Sequence, residues 1–156
     1  MRSCKYLIIL FVLLQGCTDK SILFYETTTI KESKWVWSDA KTYTYNHSDT
    51  SRKVHFNAAL RINSNYLYSN IWIKYRITGE GLDETNQFSI PLADDEYGKW
   101  LGQSSGSVLS YEQAFVKNKA LKPGVYTITY WQNMRDSEIE SVLDIGLKVT
   151  KGEPNF

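Results

Sequence analysis

Three adjacent carboxylates, Asp94, Asp95 and Glu96, run into an aromatic and glycine-rich stretch, LADDEYGKWLGQSSG (92–106). They are the first candidates for chemistry. A glycosidase needs two carboxyl groups facing each other across one bond, about 5–9 Å apart. Neighbouring residues of an extended chain point to opposite sides, so Asp94 and Asp95 do not form such a pair by themselves. A calcium loop of the D-x-[DN]-x-[DN]-G kind has a spacing that DDEYG does not match. Transition metals need clustered His or Cys, and the chain has two of each: His47, His55, Cys4 and Cys17. His55 falls on the polar side of an alternating segment, the setting of a solvated histidine. There is no G-x-S-x-G turn, and SSGS (104–107) lacks the strand-to-helix context of a serine nucleophile. No catalytic residue, metal site or cofactor site is assigned, and the chain reads as a non-enzyme.

Residues suited to binding are more prominent. Trp35, Trp37, Trp72, Trp100 and Trp131 are spread along the chain, and tryptophan and tyrosine anchor protein partners or sugar rings. Trp100 either pins its loop to the core or serves as a docking anchor. Arg135 and Asp136 lie side by side in QNMRDSEIE (132–140). They either fix a turn by a salt bridge or meet a partner, with the turn-organising role favoured because an exposed pair adds little stability. Trp100, Arg135 and Asp136 are therefore the candidate partner-binding residues.

These residues need a scaffold, and alternation supplies it. In VHFNAALRI (54–62) the residues Val54, Phe56, Ala58, Leu60 and Ile62 share one face of a strand, and NIWIKYRIT (70–78) repeats the pattern with Trp72 on the polar side. NQFSIPL (86–92), GVYTITYWQ (124–132) and SVLDIGLKV (141–149) continue it, the last with Leu143, Ile145, Leu147 and Val149 inward. Pro91 cannot donate to a ladder, which places its strand at an edge or at its end. Weaker strand candidates are ILFYETTTI, KTYTYNH (41–47) and SVLSYEQAF (107–115), with at most a short helical turn in YEQAFVKN. Turn signals stand at TGEGLDET (78–85), LKPGV (121–125) and NMRDSEIES (133–141). Eleven Tyr, six Phe and five Trp add to the β character. The expected fold is all-β: an antiparallel sandwich, Ig-like or jelly-roll-like, of about seven to eight strands.

The N-terminus directs the chain to a membrane. Arg2 and Lys5 precede the apolar run YLIILFVLL (6–14), which is about half the ~20 residues that span a bilayer. It reads as a signal peptide. LLQGC follows, with Leu14, Gly16 and Cys17 placed as in a bacterial lipobox. Residues 1–16 are then the signal peptide and 17–21 a lipidated N-terminus with a short tether. Residues 22–151 are the sandwich and 152–156 a frayed tail. Cys4 leaves with the signal peptide, so Cys17 has no partner for an internal disulfide. The formal charge of the whole chain is +1, and no basic cluster suggests nucleic acid.

Taken with LLQGC, the segments NYLYSNIWIKYRI, LADDEYGKWLGQSSG and PGVYTITYWQNMRDSEIESVLDIGLKV occur in an order that resembles the gliding motility lipoprotein GldH family of the Bacteroidetes. The most specific positions are Leu92-Ala93-Asp94, Gly98 to Gly102, Gln132, Met134-Arg135, Val142, Gly146 and Leu147. The resemblance implies a noncatalytic accessory lipoprotein of the cell envelope, without a cofactor. Lipidated at Cys17, it would sit on the periplasmic face of the inner or outer membrane with protein partners of a motility or secretion complex. The alternative reading is a glycan-binding or glycan-cleaving surface lipoprotein that uses exposed tryptophans with Asp94, Asp95 or Glu96.

Overall fold

The computed structural model describes residues 21–155. Eleven strands follow one another: β1 (Ile22–Thr29), β2 (Lys34–Val36), β3 (Lys41–His47), β4 (Arg52–Asn63), β5 (Asn70–Gly79), β6 (Leu82–Pro91), β7 (Gln103–Ser105), β8 (Val108–Lys119), β9 (Gly124–Gln132), β10 (Glu138–Glu140) and β11 (Val142–Pro154). Eight of them have seven residues or more and, with the short β7, build two sheets in the orders β1-β11-β4-β8-β7 and β3-β9-β5-β6, with every pair antiparallel. The three-residue strands β2, β7 and β10 bring the total above the expected seven or eight. β2 and β10 form a separate ribbon in which Trp35 and Ile139, both buried, pair directly.

The alternating segments become strands whose apolar phase is buried. Val54, Phe56, Ala58, Leu60 and Ile62 of β4 face Ile71, Ile73, Tyr75 and Ile77 of β5 across the sandwich. Tyr75, Phe88, Phe115 and Tyr130 cluster within this core, with Phe88 and Phe115 stacked at 4.7 Å. β6 lies at a sheet edge and ends at Pro91, as the missing N–H requires.

Four expectations are corrected. YEQAFVKN contains no helical turn, because β8 runs through it to Lys119. The turn in TGEGLDET shrinks to Glu80–Gly81, both at positive φ, so β6 begins at Leu82 and not at Asn86. Such a two-residue hairpin suits glycine and matches the strand twist. Leu143 does not face inward. A shift in register between Val142 and Asp144 turns Val142 to the core in its place. The end of the chain does not fray from residue 152: Pro154 pairs with Arg52, and the Asn155 N–H donates to the Ser51 carbonyl at 2.9 Å.

The topology gives the sandwich two distinct ends. Ile22 lies beside Thr150 and the Lys151 N–H donates to the Ser21 carbonyl, so Ser21 and the start of β1 lie where β4 begins and β8 ends. Asn63, Asn70, Gln132 and Val142 mark the other end, about 27 Å away along the eight-residue rise from Val54 to Ile62.

Two buried groups yield predictions. The Tyr43 hydroxyl donates to the Ile145 carbonyl at 2.6 Å, whereas the buried Tyr130 hydroxyl has no hydrogen-bond partner among the described residues. Tyr130→Phe is expected to raise stability by about 1 kcal/mol and Tyr43→Phe to lower it by about the same, read from urea midpoints. His47 is 1% exposed, with Nδ1 3.0 Å from the Tyr45 hydroxyl. Burial lowers its pKa, and Asp49 opposes this weakly. The unfolded chain therefore takes up a proton near pH ~6.5 that the folded chain refuses, and stability falls as pH drops through that value. Urea midpoints measured between about pH 7.5 and 5.5 should fall in the native protein and stay flatter in His47→Phe.

Candidate functional site

At the end of the sandwich remote from Ser21, a cleft of about 570 Å³ opens beside Trp72. Its framework begins with one polar residue in an apolar phase. Tyr126, Ile128, Tyr130 and Gln132 alternate inward along β9, and Gln132 is 2% exposed. Its Nε2 donates to the carbonyls of Asp136 (2.9 Å) and Ser137 (3.3 Å), and its Oε1 accepts the Met134 N–H at 2.8 Å. A buried amide thus satisfies three backbone groups of a loop that has no ladder of its own.

The loop held in this way gathers aromatic side chains. The Trp37 indole donates to the Met134 carbonyl at 3.1 Å, and the Trp37 N–H donates to the Ser137 carbonyl at 3.0 Å. The Trp72 N–H points at the Met134 sulfur (3.2 Å), while the Trp72 carbonyl accepts the Asn133 N–H at 2.8 Å. Trp72 and Trp37 remain 39% and 50% exposed. A shallower hollow of about 300 Å³ beside Met134 adds Trp131, with the Lys74 ammonium 5.8 Å from its ring centre. The two concavities share Asn133 and Met134 and so form one surface.

The polar groups of the cleft differ in how far they are already engaged. Asn133 Nδ2 donates to Gln87 Oε1 at 2.6 Å, and the Tyr68 hydroxyl donates to Asp136 Oδ2. That carboxylate raises the Tyr68 pKa. Arg135 and Lys74 are exposed, and neither makes an ion pair with a described residue.

Of the residues picked out in the sequence, Arg135 and Asp136 both line this cleft, but they do not form the expected salt bridge. Asp136 faces Tyr68, and Gln132 organises the turn. Trp100 is not in the cleft. It is partly buried against the core and bridges to Ala93, closing the acidic loop. In that loop Asp94 Oδ1 accepts the N–H groups of Glu96 and Tyr97, each at 2.9 Å, and the Asp94 carbonyl accepts the Gly98 N–H at 2.8 Å. The carboxylate is thereby engaged by its own turn. No group of three or more His, Cys, Asp or Glu suited to a metal occurs among the described residues. Cys17 lies outside the described residues.

Sequence reasoning missed Gln132, Met134 and Tyr68 as parts of one site. Gln132 carried a usable signal, since a polar residue in the buried phase at a strand end must find backbone partners. Tyr68 had none, because its loop meets residue 136 only through the fold.

A second concavity, about 500 Å³, lies over the five-stranded sheet near Tyr25. Its charges pair with one another: Arg61 Nε donates to Asp144 Oδ2 at 2.7 Å, and neighbouring Lys148 to Glu112 at 2.9 Å. Little is left there for a ligand to neutralise.

Residues 22–149 match the GldH lipoprotein family, from the start of the first strand into the last. The chain belongs to that family. It is thus an all-β member of a lipoprotein family, and its Gln132–Arg135 segment lies within the match. No curated protein matches the chain. Among solved structures, a non-crystalline cellulose specific carbohydrate-binding module, CBM28, is similar at 10% identity with a TM-score of 0.47, over 83% of this chain and 73% of that one. The infectious bursal disease virus VP2 subviral particle is similar at 14% identity with a TM-score of 0.17, over 88% of this chain and 43% of that one. Neither likeness bears on what this chain binds.

Replacing Gln132 by Leu is expected to lower stability by about 1–3 kcal/mol, because the Met134 N–H and the Asp136 carbonyl lose their partner while the Ser137 carbonyl keeps only the Trp37 N–H. Amide hydrogen exchange at Met134 should accelerate well beyond that of the β9 core. Unchanged exchange at Met134 would contradict the clamp.

Proposed function

We propose that the chain is a lipid-anchored, noncatalytic accessory protein of the bacterial gliding motility machinery, held on the periplasmic face of the inner or outer membrane. The observation that carries this reading is the family match, which starts at residue 22, just after the lipobox cysteine. Only Thr18, Asp19, Lys20 and Ser21 separate Cys17 from β1. Fully extended, that tether reaches about 17 Å. Diacylglycerol on the Cys17 thiol, with palmitate or a similar acyl chain, would contribute about 0.8 kcal/mol per buried methylene and anchor the domain stably.

On this reading the tether brings the β1–β11 end of the sandwich to the bilayer and turns the Trp72 cleft away from it. A docking role for Arg135 and Asp136 fits that orientation, while Trp100 serves its own loop. The alternative, a glycan-binding or glycan-cleaving lipoprotein using Asp94, Asp95 or Glu96, has less support. Asp94 is committed to its turn, and the cleft tryptophans belong to other segments.

Metabolic labelling with a fatty-acid analogue tests the anchor. The native chain should carry label and sediment with membranes, and Cys17→Ala should lose both properties. Label persisting on Cys17→Ala would contradict the reading.

A further inference from the structure

The cleft leaves open an unusual selection of groups. Trp37, Trp72 and Trp131 are exposed or half-buried around the Met134 thioether. Lys74 and Arg135 flank them without a carboxylate partner among the described residues. Side chains that would read sugar hydroxyls are instead turned on each other: Gln87 on Asn133, and Asp136 on Tyr68. Tryptophan, methionine and arginine are enriched at the centres of protein interfaces, and thioethers adapt to varied apolar surfaces. Two open cations beside one engaged carboxylate favour an anionic partner. The concavity on the opposite sheet lacks this character, since its charges are mutually paired.

We propose that the Trp37–Trp72–Met134 cleft docks an acidic, aromatic- or aliphatic-bearing segment of another envelope protein, with Lys74 and Arg135 meeting its carboxylates. The proposal rests on the reading of the chain as an anchored accessory protein and adds the surface and chemistry of the contact. Apolar side chains of the segment would fill the space beside Met134. The cations would set its direction and steer its approach, which makes the encounter sensitive to salt.

Site-specific photocrosslinking of the full lipidated chain in living cells tests this. A photoreactive phenylalanine analogue is placed in turn at Trp37, at Gln87, and at Tyr25 on the opposite sheet. Adducts are expected from the first two positions, on a protein segment rich in Asp and Glu. Their yield should fall about tenfold in Lys74→Glu/Arg135→Glu and persist in Lys74→Arg/Arg135→Lys, with thermal unfolding unchanged in both. An adduct on a glycan, a partner segment without acidic excess, or a yield indifferent to charge reversal would overturn the proposal. Protein adducts formed only from Tyr25 would overturn this surface while leaving the accessory role standing. Membrane attachment that persists in Cys17→Ala would instead remove the anchored reading beneath it.

Discussion

The far end of this sandwich depends on the buried amide of Gln132. Strand β9 needs an apolar residue at that position by the logic of its alternation, and an amide there must be compensated by hydrogen bonds. It finds them in the Met134 N–H and the carbonyls of Asp136 and Ser137. Without that clamp, the Met134 N–H and the Asp136 carbonyl of the loop between β9 and β10 would be left to solvent. Met134 would then no longer present its carbonyl to Trp37 and its sulfur to Trp72. One side chain inside the sheet therefore shapes the surface outside it. The same bonds carry the chain from the four-stranded sheet into the ribbon where Ile139 meets Trp35.

Topology adds a direction. Each long strand runs between the two ends of the sandwich, so Ser21 and the loop at 133–137 fall on opposite ends. If Cys17 is lipidated as proposed, a tether of four residues leaves the cleft at the end of the sandwich away from the lipid. Under that proposal the adaptable apolar surface is offered to neighbours and not to the bilayer. The acidic loop at Asp94–Glu96 has a local role: the Asp94 carboxylate caps its own turn, and the Ala93–Trp100 bridge closes it.

Much of the fold was legible because two-sided strands leave a period of two. Val54 to Ile62 and Asn70 to Ile77 carried it without ambiguity, and Pro91 correctly announced an edge. What failed was local irregularity. The register shift that exchanges Leu143 for Val142 involves one residue and leaves no compositional trace. YEQAFVKN has good helix formers, yet pairing with β4 overrides their propensity and keeps it extended. The site was legible only in part. Arg135 and Asp136 were recognised as unusual neighbours, but adjacency suggested a salt bridge between them. Tyr68, brought in from a distant loop, took Asp136 instead and left Arg135 open.

The proposed anchoring at Cys17 implies that the Trp72 cleft faces away from the membrane. Fluorescence quenching in vesicles measures this directly, with the lipidated protein carrying one fluorophore at Lys53 or, in a separate sample, at Arg135. A quencher borne on lipid headgroups should strongly reduce emission at position 53 and leave position 135 nearly unaffected. Equal quenching at both positions, or stronger quenching at 135, would contradict the account.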